Sequence, residues 1–220
     1  MIAGHYGVAY LLKGGARPKW SLTTLIAAVW LGDYLCFVFT LAGVERQVLN
    51  PSFTRMFAYQ ITYGPYSHGL AGAAVTSVVA ALAGARMAGP RDGAILGGAV
   101  FSHYLGDIIV HGPDMAIFSG DGPKLGFGLW NYPLFADLVE CGMLAAGAVL
   151  YLRATRAKNG VGRSGLLILA VIAGAITIAL PWIPPPPTTT QLCVGSLALL
   201  GGTLPLIAWL ERQREPLPAG

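Results

Sequence analysis

Apolar residues run along this chain in long blocks, separated by short clusters of charge and of Gly and Pro. Six blocks, 21–43, 67–88, 92–111, 133–152, 165–182 and 191–210, each hold about 18 to 23 residues, enough for a helix to cross the roughly 30 Å hydrocarbon core of a bilayer. They predict six transmembrane helices. The opening stretch, "MIAGHYGVAYLL", is too short to span, and its positive charges follow the apolar run, unlike those of a secretory signal peptide. It predicts a short interfacial or re-entrant helix. Between the last two blocks, "IPPPPTTT" at 183–190 cannot continue a helix and reads as a stiff outer connector. Gly69 with Ala73 and Gly142 with Ala146 have the small-xxx-small spacing that lets membrane helices approach closely.

Composition turns this pattern into a class. The chain is 55% hydrophobic and 11% charged, with a mean hydropathy of +0.61, far from the values of a soluble domain. The expected fold is an all-α integral membrane protein: about six transmembrane helices plus the short N-terminal helix, forming a single membrane-embedded domain over residues 1–220. No internal repeat suggests a transporter of inverted halves. Lys13, Arg17, Lys19, Arg86, Arg91, Arg153, Arg156, Lys158, Arg163, Arg212 and Arg214 fall in one set of loops, and only Arg46, Arg55 and Lys124 in the other. Basic residues in short loops are held on the cytoplasmic side, so both termini are expected in the cytoplasm, with the protein in a bacterial-type inner membrane. The basic isoelectric point follows from this topology and calls for no nucleic-acid partner. Cys36, Cys141 and Cys193 fall inside spans without metal or disulfide spacing and read as small apolar packers.

The ionisable residues within the spans are the informative ones, because a charge in a bilayer costs several kcal/mol unless it faces a polar interior. "FSHYLGDIIVHGPD" at 101–114 places His103, Asp107 and His111 at intervals of four. Counting from the nearest cytoplasmic basic residue at about 1.5 Å per residue, Asp33 lies roughly 21 Å up, His103 roughly 18, Asp107 roughly 24 and Glu140 roughly 20 Å. His68 comes out at roughly 27 Å, His111 at roughly 30 Å and His5 at roughly 12 Å. These groups are expected to share one polar pocket in the middle to outer half of the membrane. His103 and Asp107, one turn apart, project from the same face and can bind one ion. On a straight helix His111 is too far from His103 to share that ion, so it serves a second ion or faces substrate at the entrance. A donor set of His, Asp and Glu without thiolates suits zinc, manganese or iron.

The segments "AGHYGVA", "LGDYL", "PYSHGL", "SHYLGDIIVHGPD" and "KLGFGLWN", in that order, resemble the bacterial membrane-bound metal-dependent hydrolases of the YdjM-like group. That group in turn is similar to zinc-dependent phospholipase C, whose ligands run His, Asp, His, His-xxx-Asp and His-xxx-Glu. The resemblance implies His5, Asp33, His68, His103, Asp107 and Glu140 as metal ligands, with Asp33 and His111 in catalytic roles. Three positions depart from the pattern. Leu35 stands for a second Asp, Tyr63 for a further His and Ala136 for the His of the last pair, so one or two ions are implied.

Other polar residues read more plainly. Asp114, Asp121 and Lys124 fit a solvated, turn-rich outer linker. Trp130, Tyr63 and Tyr66 fit an aromatic belt, and Asp137 a hydrated border position. No nucleophilic Ser motif, phosphate-binding loop or dinucleotide fingerprint is present. The expected chemistry is metal-dependent hydrolysis of a phosphoester on a membrane lipid, a lipid-borne substrate or a small molecule. The alternatives are a proton or cation path through the same residues and a scaffold with a structural metal.

Overall fold

A computed structural model describes residues 1–218. The chain begins with helix α1 (Ala3–Leu11), which tightens into a π-turn (Leu12–Ala16). Helices α2 (Leu22–Val29) and α3 (Leu31–Leu41) follow, joined at Trp30 and bent by 51°. A hairpin of β1 (Arg46–Leu49) and β2 (Tyr59–Tyr63) leads to the long antiparallel pair α4 (Leu70–Ala88) and α5 (Pro90–Val110). A second small hairpin, β3 (Met115–Ala116) and β4 (Lys124–Leu125), precedes a 3-10 turn at Leu129–Asn131 and helix α6 (Pro133–Ala154). Strand β5 (Thr155–Ala157), helix α7 (Gly160–Ala179), a 3-10 turn (Leu180–Trp182), helix α8 (Thr189–Arg212) and strand β6 (Arg214–Pro216) complete the chain, β5 pairing with β6. Among the described residues five helices are long and apolar enough to cross a membrane, six if the bent pair α2–α3 counts as one span. The protein is therefore an all-α, multi-pass membrane bundle, and the three small two-stranded sheets, two of them hairpins, are additions at its ends.

Local chemistry sets the helix starts. Ser21, Asn159 and Thr188 cap α2, α7 and α8, each side-chain oxygen accepting the backbone N–H three residues on, while Pro90 and Pro133 occupy first-turn positions where no N–H is needed. The core around α1 and α2 is apolar, built on Leu22, Leu25, Ile26, Val29, Ala99 and Val100. Helix contacts do rely on small residues, but not on all of the expected ones. Gly142 faces open space, whereas a Cβ on Gly7 would sit 2.6 Å from the Leu144 backbone nitrogen and one on Gly147 2.2 Å from the Gly7 carbonyl. Backbone-to-backbone approach therefore docks α1 against α6.

The two ends of the bundle differ. At one end Lys13 lies 3.9 Å from Glu211, Arg91 donates to the Ala16 carbonyl at 2.5 Å, and Arg156 pairs with Glu215 at 2.6 Å. At the other, the Lys124 ammonium donates to the Thr62 carbonyl at 2.6 Å, and the Tyr59 hydroxyl to the Pro186 carbonyl at 2.5 Å. The segments carrying eleven basic residues thus gather together, opposite those carrying Arg46, Arg55 and Lys124.

Candidate metal centre

Three segments deliver the central cluster. Asp33 comes from the first turn of α3, His68 stands just ahead of α4, and His103 and Asp107 are one turn apart on α5. His68 Nε2 lies 3.5 Å from Asp33 Oδ1, 3.4 Å from Asp107 Oδ2 and 3.4 Å from His103 Nε2, and His103 Nε2 lies 3.0 Å from Asp107 Oδ2. One donor atom from each of the four falls within 4.8 Å of all the others. Donors placed tetrahedrally about 2 Å from a zinc ion would stand roughly 3.3 Å apart, so the spacing fits a single divalent cation. His68, His103 and Asp107 are buried and Asp33 is partly so.

Hydrogen bonding fixes what these atoms can do. Ser67 Oγ donates its only proton to Glu45 Oε2, while its oxygen lies 3.0 Å from His68 Nδ1. The oxygen must therefore accept from Nδ1–H, which leaves the lone pair of His68 Nε2 aimed into the cluster. Glu45 is held in turn by the Tyr66 and Ser67 N–H groups at 2.8 and 2.9 Å. By the same logic Asp114 Oδ1, 3.1 Å from His111 Nδ1, takes that proton, and His111 Nε2 turns a lone pair toward Asp107 Oδ2 at 3.9 Å. The carboxylate oxygens and the Nε2 lone pairs of His68 and His111 thus converge on the same space. Such a set is unfavourable in a low dielectric unless a cation or protons lie between the acceptors.

The backbone makes room for this geometry. A Cβ on Gly32 would lie 2.2 Å from the His103 ring, so only glycine lets that imidazole sit beside Asp33. Helix α5 ends at Val110 because Gly112 and Pro113 follow, and His111 has extended backbone (φ −63°, ψ 151°). Released from the helix, His111 reaches to 3.9 Å from Asp107 Oδ2 while staying outside the group of four. Gly126, at φ +149°, passes so close to Gly112 that a Cβ there would meet the Gly112 carbonyl oxygen at 1.7 Å. That crossing brings the Trp130 ring to 4.6 Å from the His111 ring.

His5 is fully buried, stacked on His103 at 4.4 Å, with Nε2 3.1 Å from Asp107 Oδ1. That contact is out of line for a hydrogen bond, and among the described residues neither His5 nitrogen has a hydrogen-bond partner, nor does His103 Nδ1. The Met1 amine also reaches Asp107 Oδ1. Glu140 lies outside the group of four. Its Oε2 accepts from the Ile2 and Gly4 N–H groups at 2.6 and 3.4 Å, and its Oε1 from the Trp130 indole at 3.1 Å. It anchors the start of α1 beside the cluster, since both its oxygens are already engaged.

Two plain readings are overturned. Asp114 is not solvated: it is 1% exposed, orients His111 and accepts from the Ile61 N–H at 3.0 Å. Trp130 is a buried wall of the site, not a belt anchor. Asp121 and Tyr66 are exposed as expected. Glu45 escaped the sequence reading altogether, because one acid in "AGVERQVL" has the appearance of a loop charge.

Beside the cluster lies a cavity of about 250 Å³. Its lining includes Asp33, His68, Asp107 and His111 of the cluster region and the aliphatic Ile176, Leu180, Leu192, Leu199 and Leu200 from α7, the turn after it and α8. Comparison with protein-family models, with curated proteins and with solved structures returns no match for this chain.

Proposed function

We propose that the protein is a membrane-embedded metal-dependent hydrolase acting on a phosphoester of a lipid or lipid-linked substrate. The observation that carries this reading is the convergence of Asp33, His68, His103 and Asp107 on one point next to a cavity. Its ordered motifs, which resemble those of the YdjM-like group, support the same reading. His68, His103, Asp33 and Asp107 would hold the first ion; His5 and His111, on either side of Asp107, are the residues nearest to a second. Zinc suits this donor set best, with manganese or iron as alternatives. A divalent ion there supplies an acidified water and stabilises negative charge on a phosphoryl oxygen.

The chain's own groups provide the remainder. Glu45 and Ser67 hold His68 in the tautomer that presents Nε2, and Asp114 does so for His111. Asp33, the most accessible member of the cluster, and His111 both line the cavity and are placed to move protons to and from substrate. The gathering of basic residues at the opposite end favours an inner-membrane orientation with both termini in the cytoplasm and the site toward the outer leaflet. A cation path through the same residues would need polar groups leading onward, whereas α2 and α5 continue from the cluster into the apolar contacts of Ile26, Val29, Ala99 and Val100.

The test is phosphate release from phosphatidic acid and lipid pyrophosphates in mixed micelles. Zinc-loaded protein should release it, and His103→Ala should reduce the rate by at least about 100-fold (about 2.7 kcal/mol). No release from any lipid or soluble phosphoester by metal-loaded protein would remove the hydrolase reading.

A further inference from the structure

We infer that the cavity beside the cluster is a chamber for the ester end of one hydrocarbon chain of a membrane lipid, entered sideways from the bilayer between α7 and α8. This names the kind of substrate within the function proposed above and rests on that reading for its reactive end.

Three observations meet here. First, the cluster supplies ionisable lining while α7 and α8 supply mostly aliphatic lining, the mixture expected of a site for an amphiphile. Second, Ile176 and Leu199 line the cavity and are also 39% and 60% exposed on the outside of the bundle. In a membrane that outside is lipid, so the chamber and the acyl phase meet at these two side chains. Third, the water-facing end is walled by Phe57, Tyr59 and Pro186, with the Tyr59 hydroxyl fastened to the Pro186 carbonyl at 2.5 Å. A separate cavity of about 250 Å³ lies beyond that wall and shares those residues.

Size sets the occupant. Sites that enclose a whole drug-sized ligand measure roughly 300–1,000 Å³. The 250 Å³ available suits the ester linkage and the first part of one chain, with the rest of the lipid left in the bilayer. Burying apolar surface against Leu192 and Leu200 would hold the lipid at the depth where its phosphate meets Asp33, Asp107 and His111.

The experiment is photolabelling in phosphatidylcholine nanodiscs, using phosphatidic acid with a diazirine near the ester end of one acyl chain. Leu192 and Leu200 are each only 6% exposed, out of reach of lipid that merely surrounds the bundle. Label at Leu192 and Leu200, assigned residue by residue by fragment-ion mass spectrometry, is the expected result, lowered at least about five-fold by Leu200→Trp or by Ser196→Trp, a position that also lines the cavity, and unaltered by the outward-facing Val194→Trp. The two tryptophan variants guard against one that fails to fold. Label confined to Val171 and Val194, or insensitive to both cavity-filling variants, would overturn the chamber. Metal content of the same samples reports separately on the proposed centre, so loss of metal with retained chamber labelling would refute the hydrolase reading and leave the chamber standing.

Discussion

At the scale of single residues, the site depends as much on side chains behind the cluster as on its members. Glu45 and Asp114 are buried acids whose visible work is to take protons from Ser67 and His111. Partners of this kind commonly change metal affinity by about 10–100-fold. Glu45→Gln and Asp114→Asn should each weaken zinc binding by that amount, measured by competition with a chelator, while Asp121→Ala should leave it unaltered. Gly32→Ala should be more damaging than its size suggests, because the new methyl occupies the space of the His103 ring. Its expected signature is loss of bound metal with the helical circular dichroism retained. His68, His103, Asp107 and Asp33 were legible in sequence because each is an ionisable group inside an apolar run. Glu45 and Asp114 were not, since they lie in turn-rich outer segments and are buried only by contacts distant in sequence.

Among the elements, α1 shows how a segment too short to span can still be built into the bundle. Its small face, Gly7, meets Gly147 of α6 backbone to backbone, and Glu140 takes two N–H groups at its start. Gly7→Leu should pry α1 from α6 at a cost of about 1–3 kcal/mol, seen as a lower midpoint of thermal unfolding in detergent, and should carry His5 away from Asp107. The six apolar blocks were readable from length and hydropathy alone, and their observed bounds differ mainly at the ends. Less readable were the 51° bend at Trp30 and the hairpin of β1 and β2. A break of one residue leaves the hydropathy of a span unaltered, and strands of four and five residues offer too little alternation to stand out from a loop. The bend nonetheless matters, because it makes Asp33 part of a helix start beside α5.

Viewed as a whole, the molecule sorts its charge by end and keeps its reactive groups between. The basic segments meet at one end, while the hairpins, the polyproline connector and the two supporting acids close the other. Reporter fusions after Arg91 and after Arg163 should both give cytoplasmic signals, and a periplasmic signal from either would contradict the orientation. Between the two ends, two carboxylates and several imidazoles share a buried space, an arrangement that a bound cation makes favourable. The most direct measurement is therefore the metal content of detergent-purified protein, by plasma mass spectrometry, for the wild type, Asp33→Asn, His103→Ala and Asp121→Ala. About one to two divalent ions per chain are expected in the wild type and Asp121→Ala, falling below about half of that in Asp33→Asn and His103→Ala. A folded wild type that carries no divalent metal after zinc loading, or a His103→Ala variant that keeps the full complement, would contradict the metal centre.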